Sequence, residues 1–426
     1  MAKTYDTYKD SGIAWIGEIP GEWRVGLVGK YFKEINNPNI NQKETNTLQF
    51  KMGEIISKSK GDSKYSPETI EAYNVVEPDT IMINGLNLSF DLISQRVAQV
   101  RERGAITSTY LAIWPTNGMK SDYAKYLLKA YDNNKALHAM GRGLRATLSY
   151  RTFRSEPILI PTIEEQHSIS SFLDTKCGEI DSLISIQEEM ISELLAYKQS
   201  VITEAVTKGL DKKAKMKNSG VEWIGDIPEE WEVCKVKNIF YLSTGTTPKS
   251  FDSINDGEET VNWYTPTDII DGGNELWCSK RKLSINTVEN EGICLFPPKT
   301  LMYVGIGATA GKVGFACVKG YSNQQITALI SKGYGDKYFY YLLNSIRVMI
   351  RENAFFTTLP IINNSYLGQK SIPLPPLPVQ QAIATYLDEK TSQIDSLIAL
   401  KQSKIESLKE YKKSIIYEYV TGKKRV

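Results

Sequence analysis

Gly305-Ile306-Gly307-Ala308-Thr309-Ala310-Gly311-Lys312 is the stretch whose residue types most invite a chemical reading. Glycines ahead of a lysine build a phosphate cradle, because backbone N–H groups close on the phosphates and the ammonium reaches them. That loop needs Gly, four residues, then Gly-Lys-Ser/Thr. Here Ile306 occupies the first glycine position and Val313 follows the lysine. Read as a dinucleotide turn, the segment should open a helix, yet the run Val313 to Val318 is β-rich, and no acidic residue follows about 20 positions later. An adenine methyltransferase would carry an Asp/Asn-Pro-Pro-aromatic turn, which neither Asn37-Pro38-Asn39 nor Phe296-Pro297-Pro298 supplies. The two histidines, His138 and His167, give little material for proton transfer, and the carboxylates show no pairing at catalytic spacing. Five cysteines, at 177, 234, 278, 294 and 317, form no Cys-x-x-Cys pair. They read as reduced thiols rather than a disulfide frame or a zinc site. The expectation is a chain that does no chemistry itself and binds no metal or cofactor.

What the chain does carry is a duplication. Lys9 to Trp23 returns as Lys217 to Trp231 with 10 of 15 positions identical, and Ile160 to Lys208 returns without a gap as Leu374 to Gly422 with 20 of 49 identical. Between them lie two regions, roughly 24–155 and 232–369, that barely resemble each other. A period above 200 residues marks duplicated domains, not a solenoid. Constant connectors around divergent interiors hold two different modules in equivalent positions.

The composition, 41% hydrophobic and 23% charged over 426 residues, is that of a folded protein of several domains. The N-terminal residues lack a signal peptide's apolar core, and no apolar run reaches bilayer length, so a cytoplasmic protein away from membranes is expected. Net charge is only +2, but it is unevenly placed. Residues 24–155 hold 19 Lys/Arg against 12 Asp/Glu, and 232–369 hold 13 against 12. Residues 156–209 hold 3 against 10, and their repeat 370–426 holds 10 against 6. The first module is therefore suited to an anion, and the two repeats attract each other.

Each repeat opens at prolines, Pro161 or Pro375-Pro376, then shows apolar residues at seven-residue spacing. Ile180, Ile184, Ile191, Leu194 and Val201 form one seam; Ile394, Ile398, Ile405, Leu408 and Ile415 form the other. Gln187 and Lys198 interrupt the first, Lys401 and Lys412 the second. At about 1.5 Å per residue, some 44 residues make a rod of about 65 Å that cannot bury its seam alone. The other repeat is the matching partner, and antiparallel pairing gives the halves a two-fold relation. Similar apolar strands, Thr80–Gly85 and Thr300–Gly305, and similar helical patches, Tyr123–Leu128 and Tyr338–Leu343, give both modules one fold. The expected class is α+β: two mixed, strand-rich domains separated by two long antiparallel coiled-coil helices, with internal pseudo-two-fold symmetry. The expected segments are 1–155, 156–209, 210–369 and 370–426. Trp15, Trp23, Trp223 and Trp231 read as core anchors beneath the modules.

These residues resemble the specificity subunit of type I restriction-modification systems. The resemblance is carried by the paired Trp-Ile-Gly-Glu/Asp-Ile-Pro-x-Glu-Trp segments, the Pro-x-x-x-x-Gln helix openings, Ile-Asp-Ser-Leu-Ile at 180–184 and 394–398, and Tyr-Lys-x-Ser at 197–200 and 411–414. Thr244-Gly245-Thr246-Thr247-Pro248, Asn323-Gln324-Gln325-Ile326 and Gly305–Gly314 add to it. It spans nearly the whole chain; no single motif is very specific, but their duplicated order is. The resemblance implies that the modules are target recognition domains, each reading half of a bipartite sequence in double-stranded DNA. It implies that the helices hold the halves apart and dock two modification (methyltransferase) subunits, to which a restriction subunit can add. S-adenosylmethionine, ATP and magnesium would then sit on those partners. A different reading is a coiled-coil assembly scaffold that never contacts DNA.

Base reading needs Arg, Asn, Gln, Lys or Ser/Thr on loops, with Lys/Arg for phosphates. In the first module Arg142 and Arg145 lie on a glycine-flexed stretch, with Lys51, Asn84, Asn87, Arg96 and Ser108 on loops beside expected strands. In the second, the candidates are Thr246, Thr247, Lys249, Thr267, Thr309, Lys312 and Gln324, with glycines near Lys312 on either side.

Overall fold

The structure is a computed structural model and describes residues 4–51, 53–58, 70–141, 146–249, 259–352, 355–356 and 360–426. The chain folds into two compact units, one built from 1–188 with 402–426 and the other from 189–401. Each unit thus combines a module with part of both long helices. The elements used below are, in chain order, β1 (Phe32–Glu34), β2 (Ile81–Ile83), β3 (Val97–Gln99), β4 (Leu111–Pro115), α1 (Ser121–Asn133), α2 (Ile163–Lys208), β5 (Phe240–Thr244), β6 (Asn274–Leu276), β7 (Leu301–Val304), β8 (Val313–Ala316), β9 (Ile326–Ser331), α3 (Asp336–Ser345) and α4 (Leu377–Val420).

In the first unit an antiparallel sheet runs in the order β1-β4-β2-β3. Its strands are apolar at successive positions because both faces are covered. Ile81, Ile83, Val97 and Ile113 pack with Tyr123, Leu127 and Leu128 of α1. Met82, Ala98 and Ala112 face the opposite way, toward Leu48, Val76 and Ile106. The second unit repeats the order as β5-β9-β7-β8, with β6 added in parallel at the edge. Leu301, Tyr303, Val313 and Leu329 pack with α3, while Met302, Val304, Ala316 and Ala328 form a separate core with Tyr264 and Phe296. The α+β class holds, and two sequences with little in common build one strand order.

The repeated segments fold alike. Tyr8–Asp10 pairs with Glu18–Pro20, and Met216–Asn218 pairs with Asp226–Pro228 in the same register. Trp23 and Trp231 are buried as core anchors, and Trp15 and Trp223 pack at the margins of the same cores. Each long helix ends in a left-handed glycine pressed against one of these tryptophans. Gly422 has φ +71° and its Cβ would collide with Pro20; Gly209 has φ +77° and its Cβ would lie 3.1 Å from Trp231. Only glycine fits both the turn and the approach.

The helices pair antiparallel within each unit. In the first, Phe172 stacks on Tyr419 with centroids 4.4 Å apart, and further along Lys412 Nζ donates to both oxygens of Asp181 at 2.6 and 2.7 Å. In the second, Lys401 Nζ lies 3.3 Å from Met190 Sδ, and Lys198 Nζ bridges both oxygens of Asp395 at 2.7 Å. Asp181 and Asp395 hold equivalent places in the duplication, as do Lys198 and Lys412. Lys198 and Lys412, two of the lysines that break the heptads, therefore make the same cross-helix ion pair twice. Ile180, Ile405 and Ile415 are buried in the first unit and Ile394 in the second. Ile184 and Leu408 pack beside the first core and Val201 beside the second, while Ile191, Leu194 and Ile398 are half-buried. Helix α2 continues through Gly178.

Each module is bolted to both helices by duplicated bonds. Gln166 accepts from Lys120 N at 2.9 Å and donates to Pro161 O; Gln380 accepts from Gly335 N at 2.8 Å and donates to Pro375 O. Tyr123 Oη donates to Val420 O at 3.3 Å, and Tyr338 Oη to Val206 O at 2.8 Å. Asp174 takes Lys125 and Tyr126, both at 2.7 Å; Asp388 takes Lys337 and Tyr341 at 2.8 and 2.7 Å. Among the described residues no helix is long and apolar enough to cross a membrane.

Ile405→Ala should destabilise the chain by about 2–4 kcal/mol, because a buried seam residue leaves a cavity. Leu400→Ala, at a position 68% exposed, should stay within about 0.5 kcal/mol; chemical denaturation measures both. Lys129 is half-buried, and burial together with the Lys412 and Lys125 cations pushes its ammonium down to about 8. Its folded value lies below the unfolded one, so the wild type gains stability as pH rises from about 8 toward 10.5. Lys129→Met should therefore melt higher than wild type at pH 7, with the gap closing across that window.

Candidate nucleic-acid interface

In the second unit a cleft of about 360 Å³ opens between the end of β5, residues 305–306, the 324–325 segment and residues 361–365. Its floor is a fixed amide–hydroxyl chain. Thr327 Oγ1 donates to Asn364 Oδ1 at 2.7 Å, and Asn364 Nδ2 donates to Thr244 Oγ1 at 3.0 Å. Asn363 caps the short helix after it by accepting from Tyr366 N at 2.8 Å. Gly245 makes one wall possible: a Cβ there would collide with Ser322 and Asn323, so the chain passes flat against them. Thr246 N then donates to Ser322 O at 2.8 Å, and the Thr247 hydroxyl donates to Gln324 Oε1. Amides and hydroxyls held in this way can exchange hydrogen bonds with base edges.

The structure thus brings Thr246, Thr247 and Gln324 together and leaves the other candidates of this module apart. Gly305–Lys312 is the turn between β7 and β8, with Gly311 N donating to Val304 O and Val304 N to Lys312 O. A strand follows it, so it is neither a phosphate loop nor a dinucleotide turn. Ile306 lies in the cleft, and Lys312 stands at the other end of the turn beside the Arg347–Asp271 ion pair. The Arg347 guanidinium, with Lys312 behind it, holds the Asp271 carboxyl below its usual range. Lys312 itself makes no ion pair among the described residues. Lys249 is exposed, and its amide donates to the Glu291 carboxylate at 2.9 Å. Thr267 is exposed, its hydroxyl 2.8 Å from that of Thr265, and Thr309 is half-buried on the turn. Sequence reasoning missed Thr244, Thr327 and Asn364; the Asn363-Asn364 pair after two isoleucines is the one local signal that could have pointed to them.

In the first unit Arg96 requires correction. It is fully buried, and its guanidinium is spent on the loop that follows β2. Nη1 donates to Asn84 O at 3.0 Å and Leu86 O at 2.7 Å, and Nη2 donates to Asp91 O at 2.7 Å. It positions loop 84–96 from beneath and is not available to DNA. Asn84 is half-buried and accepts from Leu86 N at 3.2 Å; Asn87 is exposed with φ +53°. Lys51 is exposed at the end of the strand Leu48–Lys51, and Ser108 is exposed on a turn. Arg142 and Arg145 lie outside the described residues.

Both modules anchor this loop alike. Leu148 N donates to Gly85 O at 2.9 Å, as Ile362 N donates to Gly305 O at 2.7 Å. The loops beyond differ. Residues 84–96 connect β2 to β3 through Phe90, Leu92 and Ile93, whereas 305–312 connect β7 to β8 through Thr309 and Lys312. Hydrogen bonds from the Ser94 hydroxyl and amide hold the Asp91 carboxyl down at about 2. Among the described residues no cluster of three or more His, Cys, Asp or Glu could hold a metal.

The chain is thus a duplicated α+β protein that carries two unlike loop sets on one scaffold. Residues 228–410 match the family described as the type I restriction modification DNA specificity domain. The type I restriction enzyme MjaVIII specificity subunit of Methanocaldococcus jannaschii is 24% identical over 96% of this chain and 94% of its own length. The MjaX specificity subunit of the same organism is 25% identical over 96% of each. A chain solved in work on complex assembly and conformational transition of the type I R-M system has the same fold, with TM-score 0.70 at 15% identity, over 94% of this chain and 98% of that one. In sequence and fold the chain is thus similar to the specificity subunits of type I restriction-modification systems.

Arg96→Met should leave the carbonyls of Asn84, Leu86 and Asp91 without their donor and cost about 3–5 kcal/mol. Amide hydrogen exchange across 84–96 should rise well above that of the remaining sheet.

Proposed function

We propose that this chain is the non-catalytic, sequence-reading subunit of a type I DNA adenine methyltransferase and endonuclease complex, and that each module reads one half of a bipartite, asymmetric target in double-stranded DNA. The observation that carries it is the pairing of one strand order with two unlike loop sets. A constant scaffold with exchanged loops is how one fold takes two sequences. In the second half-site the reading groups are Thr246, Thr247 and Gln324, the last of which lines the cleft, with Lys312 on phosphate. The positive excess of residues 24–155 supplies attraction in the first.

The helices fix the gap between half-sites, which is then sensed as distance and not as sequence. Exposed apolar residues on them offer a docking face for two modification subunits. These are Leu183, Ile186 and Tyr411 in the first unit, and Met190, Leu195, Tyr197, Leu397 and Leu400 in the second. S-adenosylmethionine, ATP and magnesium belong on the partners, a restriction subunit included where the system has one, and the complex works in the cytoplasm.

Methylation mapping of DNA modified by the assembled complex should return two unlike half-sites at one fixed separation. Lys312→Ala should weaken binding about 10-fold and reduce the log–log salt slope by about 1, with assembly unchanged. Gln324→Ala should relax the choice of base in the second half-site alone, costing about 1–3 kcal/mol of discrimination. A complex whose footprint covers no duplex would overturn the reading and leave an assembly scaffold.

A further inference from the structure

Loop 84–96 presents its apolar side chains to solvent. Phe90 is 77% exposed, Leu92 56% and Ile93 94%. Three large apolar residues exposed within four positions depart from the scattered exposure that needs no explanation. The loop is nevertheless tightly built. Arg96 draws the carbonyls of Asn84, Leu86 and Asp91 inward. Lys135 Nζ donates to the Leu92 carbonyl, and the His138 ring lies 3.2 Å from the Asp91 carbonyl. The Asp91 carboxylate accepts from Ile93 N at 3.1 Å and Ser94 N at 2.9 Å. Because these carbonyls and the Asp91 carboxylate are turned inward and bonded, the side chains of 90, 92 and 93 are turned out and held there.

We infer that Phe90, Leu92 and Ile93 form an apolar wedge that enters a base step in the half-site bound by the first unit, kinking the duplex there. The inference rests on the DNA-reading function proposed above. Three observations select DNA as the occupant. The loop joins β2 to β3, the place in the strand order where the second unit carries the turn with Thr309 and Lys312. The groups behind the tip are Arg96, Lys135 and His138 with two carboxylates, Asp91, 3.6 Å from the Arg96 guanidinium, and Asp132, which accepts from Arg96 N at 2.7 Å; of these cations Lys135 is the exposed one. An exposed lysine beside an apolar tip suits a phosphate flanking an opened step. Three side chains on one loop are also too narrow a patch for a stable protein interface, which needs some 20–30 residues a side. Leverage for the wedge comes from burial: a loop fixed by a buried guanidinium loses little freedom when it inserts. The two modules thus use one connection for different work, polar contact in the second and deformation in the first.

The test uses the full chain assembled with its modification subunits and a duplex bearing the mapped target. 2-Aminopurine is placed in turn at each step of the first half-site, away from the methylated adenine. The wild-type complex should brighten one step several-fold. Phe90→Ala/Ile93→Ala should abolish that signal and weaken binding about 10-fold, while Phe90→Leu should retain most of it. These side chains are exposed, so thermal melting should not move. If the wild type binds and no step brightens, or if the double variant binds and kinks DNA as the wild type does, the wedge is refuted while the reading function stands. Loss of modification subunits from the variant complex would also refute it and make the loop a protein contact. Failure of the wild-type complex to bind any duplex would bring down both.

Discussion

The structure depends on a seam that neither long helix can bury alone. An isolated helix with apolar residues every third or fourth position exposes a stripe to water, and the only stable outcome is pairing. The duplication supplies the partner within the same chain. Lys198–Asp395 and Lys412–Asp181 set direction as well as attraction, since the same aspartate and lysine of each copy can meet only when the copies run oppositely. These pairs are partly exposed, and such ion pairs contribute little net stability. Their value is specificity: Lys198 and Lys412 sit in an otherwise apolar seam, each with its aspartate opposite.

From that seam the modules inherit their position. The tyrosine that reaches the last turn of one helix (Tyr123 to Val420, Tyr338 to Val206) and the aspartate in the early turns of the other (Asp174, Asp388) tie each sheet to both helices. A module is thus held at two points by short bonds to rigid rods. That rigidity also fixes the loops at the ends of the strands, and a site on a fixed scaffold loses little freedom on binding. It also explains why the connectors repeat while the interiors diverge. The bolts must fit one seam; the loops are free of that constraint.

Much of the scaffold was legible in the sequence, and for physical reasons. Heptad spacing, the proline openings and the closing glycines depend on local periodicity and backbone sterics, so Ile180, Ile184, Ile394 and Ile405 could be placed on a seam before any fold was known. The failed phosphate motif was equally clear: with Val313 beginning a β-rich run, the glycines had to serve a turn between strands. Arg96 was not legible. An arginine between two strand-like runs looks like a surface cation, and only three carbonyls converging on it from 84, 86 and 91 reveal a buried hub. Asn364 was hidden for the converse reason, since its partners Thr244 and Thr327 lie 120 and 37 positions away.

The sequence by itself determined the duplication, the α+β class, the paired helices and the residues of their seam. These follow from repeats and periods that act over a few turns of chain, where geometry leaves few choices. Only the tertiary structure decided which polar side chains are spent inside the loops and which remain to meet a partner. That division depends on where distant carbonyls and amides converge, and no local spacing encodes it.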